Sequence, residues 1–193
     1  MQLILGSSSP FRKSLLEKLA IPFSCVSPDI DESALPGESI TALVERLAVE
    51  KAKAAANMVE GPALVIGSDQ LCVVEEEVCG KPLTRDKAIA QLQRSSGKAV
   101  TFYTGLALYN SQSGRCQSLV EPFEVRFRQL SDRQIAGYVD KEEPFWCAGS
   151  FKCEGLGIAL FESLNGRDPN SLVGLPLIAL VRMLEAEGLD VLA

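Results

Sequence analysis

The chain has 193 residues, 47% of them hydrophobic and 23% charged, with 19 basic against 25 acidic side chains and a net charge of −6. That length suits a single domain, or a compact two-lobed unit, that buries about 70% of its unfolded surface. The acidic balance argues against a nucleic-acid polymer as partner, which needs a basic footprint. Histidine is absent, which excludes Ser-His-Asp and Cys-His catalysis, imidazole metal sites and a histidine base.

In chain order, Gln2 to Leu5 is a short apolar run ending at Gly6 and reads as a buried first strand. Ser9-Pro10 opens a helix as N-cap and first helical residue, with Phe11, Leu15, Leu16 and Leu19 on its apolar face. Phe23 to Val26 predicts a second strand, followed by the acidic turn Pro28-Asp29-Ile30-Asp31-Glu32. Ser39 caps a long helix over Ile40 to Met58, with Ile40, Leu43, Val44, Leu47 and Ala48 on one face. Ala63 to Ser68 has the continuous apolar character of a strand buried on both sides. Leu71 to Val74 and Val78 to Cys79 flank a hairpin tip of three glutamates, and Thr84 caps a helix that Gly97 ends.

Ala99 to Tyr103, Leu106 to Tyr109 and Cys116 to Val120 read as strands. In the next, Phe123, Val125 and Phe127 alternate with Glu124, Arg126 and Arg128. Ser131 to Gln134 is a capping box, Gly157 to Phe161 predicts a late strand, and a last helix covers Leu175 to Glu187. Strands interleaved with helices and hairpins predict an α/β fold with a mixed sheet and flanking helices. Six scattered cysteines without a C-x-x-C pair point to reduced thiols in a cytosolic protein. No apolar run approaches 18 residues, so a soluble, cytoplasmic protein with no membrane partner is expected.

Without histidine, catalysis rests on carboxylates, lysine, arginine, cysteine, hydroxyls or a metal held by oxygen. Gly6 to Lys13 runs from a strand through three serines into a helix N-terminus, where free N–H groups and the cations Arg12 and Lys13 suit a phosphate; the segment reads equally as a capped helix with solvated basic residues. Asp69, placed at the end of the ALVIGS strand, could ligate Mg²⁺ or activate water, or simply start a turn. Lys51 follows Leu43 and Leu47 at helical spacing and either snorkels at the core margin or enters a site. Lys81, in Gly80-Lys81-Pro82, and the cluster Asp29, Asp31 and Glu32 have solvated loops as their plain reading. Gly166 to Asn170 is explained mostly by capping and turn chemistry.

Taken in order, SSSPFRKSLLEKL, PDIDES, RLAVEKAKA, IGSDQ, GKPLT, TFYTG, AGSFKCEG and GRDPNSLVGLPL make the chain resemble the Maf-type nucleotide pyrophosphatases over essentially its whole length. The resemblance implies an elongated Maf/ITPase-like fold with a central cleft, often dimeric. It implies hydrolysis of a nucleoside triphosphate to the monophosphate and pyrophosphate with a divalent metal, Mg²⁺ foremost and Mn²⁺ or Co²⁺ as substitutes. By the matching positions, Asp69 is the catalytic acid/base and a metal ligand and Glu32 a second metal or water-positioning carboxylate. Ser7, Arg12, Lys51 and Lys81 hold the triphosphate.

The branch acting on dTTP and UTP typically has arginine, threonine and glutamine where this chain has Phe11, Gln70 and Glu154. That combination is similar to the 7-methyl-GTP pyrophosphatase (YceF-like) branch and makes these three the expected specificity residues. A positive 7-methylguanine ring could stack on Phe11 and donate to Glu154; the plain readings are Phe11 packing with Leu15 and Leu19 and Glu154 in a solvated loop. The alternatives are a dTTP/UTP or other modified-nucleotide pyrophosphatase and, from another class, a non-catalytic nucleotide-sensing regulator of cell division.

Overall fold

The first strand, β1 (Gln2–Gly6), alternates its side chains between two apolar layers. Leu3 and Leu5 join one core cluster and Ile4 the other. A strand that is apolar on both faces belongs inside a sheet covered on both sides, and β1 lies between β2 (Ser24–Val26) and β3 (Ala63–Val74), parallel to both. The remaining strands are β4 (Glu77–Cys79), β5 (Ala99–Asn110), β6 (Cys116–Phe127) and β7 (Phe161–Asn165). The helices are α1 (Pro10–Glu17), α2 (Ile40–Ala56), α3 (Arg85–Ser95), α4 (Asp132–Glu142), α5 (Pro169–Val173) and α6 (Leu177–Ala186). The seven strands form one sheet in the order β2-β1-β3-β5-β6-β7, with β4 on β3. The antiparallel pairs β3–β4 and β6–β7 make it a mixed sheet, as the interleaved pattern predicts.

The computed structural model describes residues 1–193. It divides into one unit of residues 1–70, 104–121 and 168–193, and a second of residues 71–103 and 122–167. In the first unit, Leu64 and Ile66 of β3 and Leu106 and Leu108 of β5 pack with Leu15 and Leu16 of α1 and Leu177, Leu180 and Leu184 of α6. The opposite face carries Ala63, Val65 and Ala107 against Ala48, Ala52 and Ala55 of α2. The approach of α2 is unusually close. A Cβ at Gly67 would overlap the Ala48 carbonyl oxygen, and one at Gly105 the Val44 carbonyl oxygen. One at Gly6 would come within 2.9 Å of the Ala55 methyl. Glycines on β1, β3 and β5 thus face an alanine-rich helix, and neither side has room for a larger residue.

The second unit is built on edge-to-face aromatic contacts. Phe151 meets Phe102, Phe127 and Phe161 at centroid distances of 5.3, 5.5 and 5.0 Å. Phe127 and Phe161 are themselves in contact at 5.3 Å. The Ser131–Gln134 capping box opens α4 as expected. At the β3–β4 turn Glu75 and Glu76 take φ of 49° and 67°, a two-residue turn made without glycine. Arg94 and Lys98 hold its acidic residues by ion pairs to Glu77 and Glu75 at 2.7 and 2.8 Å.

Several sequence expectations need correction. The strand beginning at Ala63 does not end at Ser68 but continues through Asp69 and Gln70 to Val74. Both polar side chains find partners off the sheet faces, so neither ends the ladder. The pieces predicted around Thr104-Gly105 and around Glu121-Pro122 are likewise joined, as β5 and β6. Gly157 to Phe161 is no strand. Leu156–Leu160 coils as a 3₁₀ turn because Gly157 folds back to donate its N–H to the Lys152 carbonyl at 3.1 Å, and β7 starts at Phe161. The short helix α5 was not expected, α2 ends at Ala56, and α6 starts at Leu177. Phe11 is 39% exposed rather than packed with Leu15 and Leu16. No helix is long and apolar enough to cross a membrane.

The close α2–sheet contact gives two substitutions of opposite sign. Gly67→Ala is expected to cost about 3 kcal/mol through overpacking against backbone. Gly137→Ala in α4, where nothing lies within 4 Å of a Cβ, should gain about 0.5–1 kcal/mol. Urea unfolding measures both, and a Gly67→Ala protein as stable as wild type would show that α2 has room to retreat.

Candidate active site

Strand parity arranges the site. Residues 63, 65, 67 and 69 of β3 face α2, and residues 64, 66, 68 and 70 face α5 and α6. Asp69, 8% exposed, therefore points to the helix that carries Lys51. Lys51 Nζ donates to Asp69 Oδ1 at 2.7 Å and pairs with Glu32 Oε1 at 2.6 Å. The side chains of Lys51 and Asp69 are 12% and 11% exposed, and that of Glu32 is 61% exposed. No buried side-chain oxygen lacks a partner, so Asp69 Oδ2, which takes no protein hydrogen bond, is open to solvent. One oxygen of the carboxylate is fixed by a cation while the other is free to engage water.

Arg12 is the second cation. Its Nε donates to the Gly174 carbonyl at 2.9 Å, and its Nη1 lies 3.5 Å from Ser7 Oγ. Burial pushes the guanidinium below its ordinary value, and Asp69 and then Glu32 pull it back up, so both carboxylates act on Arg12 electrostatically. Ser7 Oγ accepts the Ser9 N–H at 3.2 Å, and Ser9 Oγ caps α1 by accepting the Arg12 N–H at 3.4 Å. Phe11, in the same first turn, is exposed.

The even-numbered face of β3 ties the site to the C-terminal segment. Gln70 Nε2 donates to Thr104 Oγ1 at 2.9 Å, to the Ser171 carbonyl at 2.8 Å and to the Leu172 carbonyl at 3.2 Å. Two carbonyls only accept, so the group facing them is the NH₂, which settles the amide direction that the sequence leaves open. Ser68 Oγ donates to the carbonyls of Gly105 and Gly174 at 2.8 and 2.9 Å. Gly174, with φ of 114°, closes α5; a Cβ there would stand 3.4 Å from Arg12 Nε and 3.8 Å from Gln70 Oε1.

The buried Asp168 fixes this segment by capping two helices. Its Oδ1 accepts the Asn170 N–H at the start of α5, and its Oδ2 accepts the Ile178 N–H in the first turn of α6, both at 2.8 Å. Pro176 at the N-cap position of α6 has no side-chain acceptor of its own. The capping reading of Gly166 to Asn170 holds, with the addition that one carboxylate serves both helices.

Glu32 comes from the irregular segment before α2, and Arg46 fastens that segment to the helix. It donates to both oxygens of Glu38 at 2.7 and 2.8 Å, to Glu50 at 3.1 Å and to the Ser33 carbonyl at 2.9 Å. The Arg46 hydrogen bonds, followed by the Leu35 N–H, hold the Glu38 carboxyl down at about 2 from its ordinary 4.5. Sequence reasoning missed Arg46, Ser68, Thr104 and Gly174. The Arg46–Glu50 pair at i,i+4 was the one available signal; the other three act through backbone atoms or through partners distant in sequence. Asp29 and Asp31 take no part in these contacts, Asp31 instead accepting the Ser33 N–H at 2.9 Å.

Lys81 and Glu154 belong to the second unit, and both are exposed. Lys81 acts electrostatically on the Cys147 thiol, as do Lys152, Glu154 and Glu142. Glu154 Oε2 lies 3.2 Å from Cys153 Sγ. Burial, then Glu154, pushes that thiol up to about 12.

Glu32 and Asp69 present hard carboxylate oxygens on either side of one ammonium. A donor set of two carboxylates suits Mg²⁺, which takes one or two such groups together with substrate phosphates.

Gln70→Glu sets a carboxylate against two carbonyls and is expected to cost about 2 kcal/mol at neutral pH, with part recovered in acid as the group regains a proton to donate; urea unfolding across pH reads this. Glu38, whose carboxyl is depressed from 4.5 to about 2, stabilises the fold fully above pH 4.5 and loses that share as the pH falls towards 2. The stability difference between wild type and Glu38→Gln should therefore be constant above pH 4.5 and shrink below it.

The family model described as "Maf: Maf-like protein" matches residues 2–187. A 7-methyl-GTP pyrophosphatase of Vibrio vulnificus (strain CMCP6) is 58% identical over 191 residues, covering 99% of this chain and 97% of that protein. One of Colwellia psychrerythraea (strain 34H / ATCC BAA-681) is 58% identical over 192 residues, covering 99% and 95%. The solved structure of the Staphylococcus aureus Ham1 protein aligns with a TM-score of 0.51 at 13% identity, covering 97% of this chain and 100% of that one, and so shares the fold. With the family model matched almost end to end and such identity to its members, the chain belongs to the Maf family.

Proposed function

We propose that this protein is a cytoplasmic nucleoside-triphosphate pyrophosphatase that hydrolyses 7-methyl-GTP to 7-methyl-GMP and pyrophosphate, removing modified nucleotides. The observation that carries the reading is the Asp69–Lys51–Glu32 chain beside Arg12, within a protein 58% identical to 7-methyl-GTP pyrophosphatases.

Asp69 acts as the base. Lys51 holds Oδ1, and Oδ2 takes the proton from water as the water oxygen bonds to the α-phosphorus. The bond from that phosphorus to the bridging oxygen breaks, and pyrophosphate leaves with the electron pair. Arg12, Lys51 and Lys81 offset the charge that grows on the phosphate oxygens, with Ser7 and the N–H groups at the start of α1 completing the phosphate contacts. Glu32 and Asp69 would hold a divalent cation, Mg²⁺ by preference, which when bound supplies further charge neutralisation. Phe11, already exposed, offers its face to the methylated ring, and Glu154 offers acceptors to the guanine edge. Gln70 contributes to specificity indirectly, by setting α5 and Gly174 against Arg12.

The test is turnover of 7-methyl-GTP, GTP, dTTP and UTP by purified protein, with products identified. The expected outcome is the highest kcat/KM for 7-methyl-GTP, with 7-methyl-GMP and intact pyrophosphate as products. Preference for dTTP or UTP would reassign the substrate, stepwise release of inorganic phosphate would contradict the chemistry, and binding without turnover would indicate a nucleotide sensor. Asp69→Asn is expected to fold and bind nucleotide while losing at least about 10²-fold in kcat; near-normal kcat would remove Asp69 from the chemistry.

A further inference from the structure

Cys72 on β3 and Cys79 on β4 stand directly opposite each other across the hairpin. The two-residue turn closes on Val74 and Glu77, so by antiparallel alternation Cys72 and Cys79 form a hydrogen-bonded pair with Cα atoms about 5.5 Å apart. That spacing lies inside the roughly 4.4–6.8 Å that a disulfide bridges. Both are free thiols on the same face of the ladder, buried at 0% and 5% exposure. The scattered cysteines of the sequence thus include one pair set directly opposite across two strands.

The two thiols differ in surroundings. Cys72 Sγ is covered by Gly149, whose missing Cβ would stand 2.9 Å from it, 3.3 Å from the Phe151 ring and 3.4 Å from the Phe102 ring. Cys79 lies on a strand of three residues paired to β3 alone, next to Val78 at 48% exposure. The neighbouring Cys72 thiol holds that of Cys79 below its ordinary value, against burial, and Arg94 adds a smaller pull in the same direction. The Cys79 thiol and then burial push Cys72 the other way. Cys79, on the outer strand and at 5% exposure against 0% for Cys72, is the member of the pair nearer solvent.

We propose that Cys72 and Cys79 are a cross-strand redox couple that a small peroxide closes to a disulfide. The Cys79 thiolate attacks hydrogen peroxide, the O–O bond breaks, hydroxide leaves, and Cys79 becomes a sulfenic acid. The Cys72 sulfur then attacks that sulfenic sulfur; the S–S bond forms, the S–O bond breaks, and the oxygen leaves as water with the Cys72 proton. In sum, two thiols and one peroxide give one disulfide and two waters. The couple requires nothing of the proposed nucleotide chemistry.

The experiment treats the full-length protein with a small excess of hydrogen peroxide, alkylates it under denaturing conditions and maps tryptic peptides. Trypsin places both cysteines in the peptide of residues 54–85, because the Lys81–Pro82 bond resists cleavage. The expected result is a fall from six free thiols to four, with that peptide unalkylated and lighter by about 2 Da. Cys79→Ser, or Cys79→Ala, should slow oxidation of Cys72 by at least about tenfold. The proposal is overturned if the 54–85 peptide keeps both thiols while exposed Cys25 and Cys116 are oxidised, or if Cys72 oxidises as fast without Cys79.

Discussion

The contact between α2 and the glycines of β1, β3 and β5 governs the geometry of the first unit. Ala48, Ala52 and Ala55 press onto strands that have hydrogens where other sheets have side chains. Lys51 sits among those alanines, so the packing that brings the helix close also carries an ammonium to within 2.7 Å of a carboxylate on the strand beneath. A helix standing one methyl group further from the sheet would leave Asp69 buried without its cation, an arrangement that costs several kcal/mol. Core packing and site electrostatics are here the same constraint.

Around that contact, charge is organised locally in a chain whose overall balance is acidic. Arg46 spends its donors on Glu38, Glu50 and the Ser33 carbonyl, which fastens the segment that carries Glu32. Arg12 is aimed by the Gly174 carbonyl, which α5 presents and Ser68 shares. The double cap by Asp168 sets the start of both C-terminal helices. Each cation near Asp69 is therefore held by backbone carbonyls or carboxylates distant in sequence, and the net charge of −6 conveys nothing of this local gathering.

What could be read from the sequence followed periodicity and capping. Ser9, Ser39, Thr84 and Ser131 were found as caps because a side-chain oxygen at a helix start is a local signal. The inward turn of Lys51 was legible from its spacing after Leu43 and Leu47. The strand ends misled, because Asp-Gln, Thr-Gly and Glu-Pro look like turns until the partners of their side chains are known. Gln70 showed no direction in sequence since its acceptors, Thr104, Ser171 and Leu172, arrive from far along the chain. The pairing of Lys51 with Glu32 as well as Asp69 was equally out of reach: it depends on a loop held by Arg46, and no local pattern encodes a tether of that kind. Spacing puts Phe11 on the apolar face of α1, and of its two readings, core packing or stacking on a base, its 39% exposure leaves only the second.

Strand β3 does two jobs by parity alone: its odd positions look to α2 and its even ones to α5. A single-residue insertion or deletion between Ala63 and Asp69 would exchange the two sets, turning a carboxylate towards the Ser171 and Leu172 carbonyls and an amide towards Lys51. The length of this stretch is thereby frozen, and lineages can alter it by replacing side chains but not by adding or losing one. The glutamate turn beyond Val74 is under no such rule. Descent within the family should therefore leave its gaps at that tip, and the segment before Asp69 should align without any.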